Sequence, residues 1–299
     1  MRKIIGLLAV FILSASLAGC SANSGGSSGS KDNAGGKQQD VMAEFSSLME
    51  TDPGPDQIIG FIDKNISSAD QEDASSMIDG LESAQKDHLD ELENKFYSED
   101  IQKEINDAYK PGSDLNDLEG VTDEQLKDLL KETKDSGYKL ETAEGMYYPI
   151  IDYGFYKKYA DHLTPDFADY INIMSVESDA APAKDAELVI GWSDLIKRAL
   201  SQEAFIQKYP GSKRVEEVTG LYKNYAAFIF LGLNNTPLYD YDTHIMNADA
   251  ITAYRDAIGK DGGSKLIGKL NGFLDIAEKN NYRLTEEVDK YRHDTLSSL

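Results

Sequence analysis

Residues 70–96 read DQEDASSMIDGLESAQKDHLDELENKF, and the spacing of their apolar members decides the class of the fold. Ala74, Met77, Leu81, Ala84, Leu89, Leu92 and Phe96 recur at steps of three to five, mostly three or four. On a helix of 3.6 residues per turn these positions form one stripe, and the acids cover the other faces. The segment is a long amphipathic helix.

The same period returns on both sides. Thr122-Asp123-Glu124-Gln125 has the spacing of a capping box, with Val121 placed to staple Leu126, so a second helix is expected from Thr122. Shorter helices are expected over 41–50 and over 55–66, the latter after Pro53-Gly54-Pro55, and again from Asp166 to Met174. Gly191 or Ser193 opens a helix whose apolar face holds Leu195, Ile196, Ala199, Leu200, Phe205 and Ile206. It stops at Pro210-Gly211, and Ser212 is placed to cap a following helix that carries Val215, Val218, Leu221, Tyr222, Tyr225, Phe228 and Ile229. Between Gly137 and Ile151 the period changes. Tyr138, Leu140 and Thr142 alternate, Glu144-Gly145 supplies a turn, and Met146-Tyr147-Tyr148 follows, the pattern of a small β-hairpin near 138–150. The fold class is all-α, built of helical hairpins, with this one hairpin of strands.

Composition divides the chain. Residues 40–136 hold 27 acidic, 8 basic and five aromatic side chains, whereas 137–299 hold 25, 18 and 22. An acidic helical region over 40–136 and an aromatic-rich, repeat-like helical domain over 137–299 are expected. Ahead of them, residues 20–39 are rich in Gly, Ser, Asn and Lys and lack any large apolar side chain, so they read as a flexible linker. Residues 1–19 have a basic start (Arg2, Lys3) and an apolar run from Ile4 to Leu17, too short for a permanent membrane span and of signal-peptide length. With 53 acidic against 30 basic residues, the surface repels nucleic acid, which excludes that class of partner.

The apolar run ends in Leu17-Ala18-Gly19-Cys20, which resembles a bacterial lipobox. The resemblance covers the first 20 residues and implies that Cys20 is acylated and becomes the mature N-terminus. The remainder would then be exported and held by lipid on the extracytoplasmic face of a cell membrane. Cys20 is the only cysteine, so its acylation leaves no thiol for a disulfide, a nucleophile or a thiolate metal site. A second resemblance is carried by Ala204-Phe205-Ile206-Gln207-Lys208-Tyr209-Pro210-Gly211-Ser212, similar to the helix–turn–helix joint of tetratricopeptide-like repeats in envelope lipoproteins. Shifted by 52 residues, Ile206, Lys208, Gly211, Ser212, Lys213 and Gly220 fall on Ile258, Lys260, Gly263, Ser264, Lys265 and Gly272. Two hairpins built alike, separated by an insertion over 233–247, would produce this register.

Catalytic signatures for metalloproteases, serine hydrolases, nucleotides and dinucleotides are absent from the sequence, and no cofactor is expected. Two clusters remain. Tyr147, Tyr148, Tyr153, Phe155, Tyr156 and Tyr159 surround Asp152; tyrosines suit grooves for peptides or glycans, and the same spacing also suits a helical core. In Asn234–His244, Asp240 and Asp242 alternate as oxygen ligands for Ca²⁺ do, and Asx turns account for the same residues. His88, His162, His244 and His293 include no i,i+4 pair, so no metal site is assigned. The expected function is a non-enzymatic adaptor or scaffold binding a protein, peptide or cell-wall component through Tyr147, Tyr148, Asp152, Tyr156, Asp240, Asp242 and His244. The alternative is an envelope hydrolase using paired carboxylates such as Asp152, Asp240 and Asp242.

Overall fold

A computed structural model describes residues 32–110, 114–259 and 263–299, with side chains from residue 40 onward. Cys20, its preceding apolar run and the linker up to residue 31 lie outside the described residues. The described residues are all-α apart from two small ribbons. In order it forms α1 (Asp32–Met49), α2 (Pro55–Asn65), α3 (Gln71–Phe96), α4 (Glu99–Ala108), α5 (Glu124–Asp135), β1 (Tyr138–Ala143) and β2 (Met146–Ile151). A 3₁₀ stretch (Phe155–His162), α6 (Pro165–Asp179), β3 (Ala183–Lys184) and β4 (Glu187–Leu188) follow. The remainder is α7 (Trp192–Lys208), α8 (Val215–Leu231), α9 (Ala248–Ile258), α10 (Lys265–Lys279) and α11 (Glu286–Ser297).

Local chemistry sets most of these boundaries. Asp70 caps α3 by accepting from Asp73 N at 2.9 Å, and the stripe from Ala74 to Phe96 is buried except for the half-buried Leu89. β1 and β2 pair antiparallel from Tyr138↔Ile151 to Ala143↔Met146. Glu144 and Gly145 both take positive φ (51° and 76°), the two-residue turn whose twist matches that of its strands. The α7–α8 hairpin turns at Tyr209–Arg214, and α9–α10 forms a second hairpin beyond the 233–247 connection. Ser264 caps α10 through Ile267 N, at 3.1 Å.

Some expectations require correction. The linker expected over 20–39 overlaps α1, which already starts at Asp32. Val41 and Phe45 anchor that helix in the core, and once a helix exists each added residue gains one hydrogen bond for one residue fixed. The cap of α5 is Asp123, accepting from Leu126 N at 2.8 Å, and not Thr122; a carboxylate is the stronger acceptor at the positive end of a helix. Ser212 does not cap α8. It donates to Asp166 (2.6 Å) and accepts from Arg214 N (3.2 Å), a turn before the helix starts.

The compositional shift at 137 does not divide the core. Buried residues from Val41 to Ile173 form one cluster, joined by Phe205 and Val218, and a second cluster runs from Trp192 to Val288. The reason is the hairpin: Tyr138, Leu140 and Ile151 are buried in the first cluster, so the aromatic-rich residues up to α6 complete the core of the acidic region.

Candidate functional site

The tyrosine cluster is a buried network. Tyr153, Tyr156, Tyr159 and Tyr170 are all buried. Two of them are organised by Glu82 on α3, whose side chain is 1% exposed, whereas Tyr159 donates to Asp63 Oδ1 at 2.7 Å. Tyr153 and Tyr170 both donate to Glu82 Oε1 at 2.7 Å, and Lys86 Nζ lies 2.7 Å from the same oxygen. Arg214 Nη2 is 2.7 Å from Oε2, and the guanidinium sits 4.6 Å above the rings of both Phe167 and Tyr170. Burial pushes the Glu82 carboxyl up, but the charge of Arg214 and the hydrogen bonds from Lys86, Tyr153 and Tyr170 outweigh it and hold the group below its ordinary value.

Tyr156, expected as a contact residue, is therefore a core residue: it is fully buried and donates to Gln85 Oε1. The Nε2 of Gln85 in turn donates to Ser136 O (2.7 Å) and Gly137 O (3.1 Å). Tyr147 is half-buried and held by Gln102, which accepts from Tyr147 N at 2.9 Å and donates to Tyr147 O at 2.8 Å. Tyr148 is half-buried, and burial together with the charge of Glu141 pushes its phenol up. Asp152 accepts from Gly154 N at 3.0 Å and lies 3.3 Å from Lys139 Nζ.

Asp240, Asp242 and His244 lie apart from these, in an exposed turn bracketed by the Tyr239↔Met246 bridge. Asp240 Oδ1 accepts from Thr243 N and Thr243 Oγ1, both at 2.7 Å, and from Asp242 N at 3.2 Å. These bonds hold its carboxyl below the usual range. The carboxylate thus closes an Asx turn, and no group of three or more metal-ligating side chains occurs among the described residues. None of the seven expected contact residues lines a broad cleft found elsewhere on the molecule.

That cleft, about 640 Å³, runs between α6 and α7. From α6 it takes Asp169, Asn172, Ile173, Val176 and Glu177, the i, i+3, i+4, i+7, i+8 set of one helix face. From α7 it takes Asp194, Arg198 and Gln202, one turn apart, together with Lys197, Ser201, Ala204, Phe205 and Lys208. Tyr225 from α8 donates to both oxygens of Glu177 (2.6 and 2.7 Å), and Arg198 Nη1 lies 3.8 Å from it. Burial pushes the Glu177 carboxyl up by more than Tyr225 and Arg198 pull it down. Arg198 also donates to Ala180 O at 2.7 Å, so its orientation is fixed.

Gln202 sets this cleft apart. The side chain is wholly buried, and neither its Nε2 nor its Oε1 has a hydrogen-bond partner. The other two buried glutamines, Gln85 and Gln102, use both ends of their carboxamides. Its neighbour Glu203 is also buried but satisfied, accepting from Ser264 Oγ and from Leu266 N at 3.0 Å, which ties α7 to the start of α10. The sequence carried one sign of this site: the apolar face of α7 skips from Leu200 to Phe205, leaving a polar pair on its buried side.

No known protein family, curated protein or solved structure matches the chain. Among the described residues no helix is long and apolar enough to cross a membrane.

Proposed function

We propose that this protein is a lipid-anchored, extracytoplasmic binding module that takes its ligand in the groove between α6 and α7. The reading of the anchor rests on Arg2, Lys3, the apolar run and Leu17-Ala18-Gly19-Cys20. The reading of the site is supported by one observation above all, the buried carboxamide of Gln202 left without partners on a groove lined by both signs of charge. Buried polar groups are nearly always hydrogen-bonded, and the exceptions mark places where something else completes the set. A groove of this volume is within the range that binds small ligands and short segments of a macromolecule. The hydrolase alternative draws no support from these carboxylates: Asp152 and Asp240 each accept hydrogen bonds within their own turn, and Asp242 shares the exposed turn of Asp240.

The test has two arms. Cys20→Ala should leave the protein unlipidated and release it from membranes under high-salt and carbonate washes; retention there would end the anchor reading. A photo-crosslinking residue at Val176, exposed on the groove wall, should capture a reproducible partner in cells when placed in the anchored protein. Capture of abundant neighbours alone would end the assignment of the groove.

A further inference from the structure

Given that binding role, Gln202 narrows the class of ligand. A carboxamide presents two N–H donors and a carbonyl acceptor in one plane. What meets both ends at once is one residue of an extended peptide, whose own N–H and C=O point to the same side of the chain: the C=O accepts from the side chain while the N–H donates back. Shape adds a second constraint. The lining residues of α7 extend from Asp194 to Lys208, a rise of about 21 Å at 1.5 Å per residue. An extended chain covers that length with about six residues. A compact solute has no use for so long a groove; a strand-like segment does. Its walls alternate in character as a peptide's side chains do. Ile173, Val176 and Phe205 are apolar, whereas Asp194 and Lys197 are exposed and enter no ion pair among the described residues.

We propose that the groove binds an extended peptide segment of about six residues, with the N–H and C=O of one of its residues paired to Gln202. Apolar side chains of the segment rest on Ile173, Val176 and Phe205, and charged ones face Asp194 and Lys197. Main-chain pairing gives affinity and the wall gives side-chain preference, the division of labour seen wherever extended peptides are recognised.

The experiment uses the full lipidated chain in detergent micelles and a fluorescein-labelled pool of hexapeptides, acetylated and amidated at their ends, alternating apolar and charged residues. Saturable binding is expected, weakened at least about tenfold by Gln202→Leu. The same variant should melt no lower than the parent, because it removes an unsatisfied buried group without removing volume. Asp194→Lys, on the exposed wall, should shift preference from cationic to anionic members of the pool, and it tests the groove even if Gln202→Leu fails to fold. Binding unchanged in both variants would show that water alone satisfies Gln202 and would overturn the proposal. Binding of an N-acetylglucosamine dimer in place of the peptides, abolished by Gln202→Leu, would replace the peptide by an acetamido sugar and equally overturn it. If the Val176 crosslink captures a partner in cells while no hexapeptide binds, the peptide inference falls and the anchored binding module stands. If both fail, both fall.

Discussion

At the scale of single residues, Glu82 shows what a buried charge requires. Taking a carboxylate out of water is opposed by several kcal/mol, and the opposition is met only where every lone pair finds a donor or a cation. Tyr153, Tyr170 and Lys86 converge on one oxygen, and Arg214 lies against the other. Because these partners depress the carboxyl below its ordinary 4.5, the native state holds the proton more weakly than the unfolded chain does. The stabilisation is therefore complete above about pH 4.5 and is lost as pH falls through the depressed native value. Glu82→Gln keeps the volume and the tyrosine hydrogen bonds but strands Arg214, with Asp79 and Glu217 still nearby. A loss of about 3 kcal/mol in urea unfolding at pH 7 is expected. The acid limb of the stability profile should flatten with it. A variant as stable as the parent, or one with the same acid limb, would show that Glu82 does not carry this role.

Among elements, the turns are where a single atom decides. Gly232 follows α8 at φ 75°, and a Cβ there would lie 2.3 Å from Leu238 N and 2.6 Å from Thr236 O. Gly145 has nearly the same φ, 76°, with nothing within 4 Å of the added carbon. Gly145→Ala should cost only the left-handed penalty, about 1 kcal/mol, whereas Gly232→Ala must move backbone and should cost about 3 kcal/mol. Comparable losses by thermal denaturation would contradict the close approach at Gly232. The same contrast separates what the sequence made legible from what it hid. The β1–β2 hairpin could be read because both its alternation and its turn pair are local. The bounds of α3 could be read because the Asp70 cap and the apolar stripe are local too. The ten-residue α4 escaped because only Ile101 and Ile105 mark its face, although Ser98 caps it. The β3–β4 ribbon escaped because it has only two residue pairs, Ala183↔Leu188 and Lys184↔Glu187, and because its turn puts Asp185 and Ala186 at positive φ with no glycine to signal it; Asn235 N and Thr236 Oγ1 then hold it from a distance. The spacing of the tyrosines leaves surface and core both open, because the acceptors that decide between them, Glu82 and Gln85, lie 71 residues away from Tyr153 and Tyr156. The loneliness of Gln202 is a property of the packed molecule, and sequence carried only the gap in the α7 stripe.

Over the whole molecule, the two cores share a buried electrostatic joint. Arg214 precedes α8, whose inner face belongs mostly to the second core, yet its guanidinium is buried against Glu82 and Asp79 on α3 in the first. Ile206 and Leu221 pack on both clusters, and Lys208 and Tyr209 bond to Asp169 on α6 at 3.0 and 2.8 Å. In a chain of net charge −23, Arg214, the one cation buried among the described residues, is a strong tie, and repulsion between the halves acts against it. Trp192, the only tryptophan, is buried in the second core and reports on that core alone. In the parent protein its fluorescence and the far-ultraviolet circular dichroism should follow one urea transition. Arg214→Met preserves apolar contact with Phe167 and Tyr170 but leaves Glu82 buried without its guanidinium. The first core should then melt about 1 M urea earlier, so that the dichroism separates from an unmoved Trp192 transition. If instead both signals still coincide at one lowered midpoint, the apolar contacts of Ile206 and Leu221 suffice to couple the cores, and Arg214 is a local stabiliser of α3.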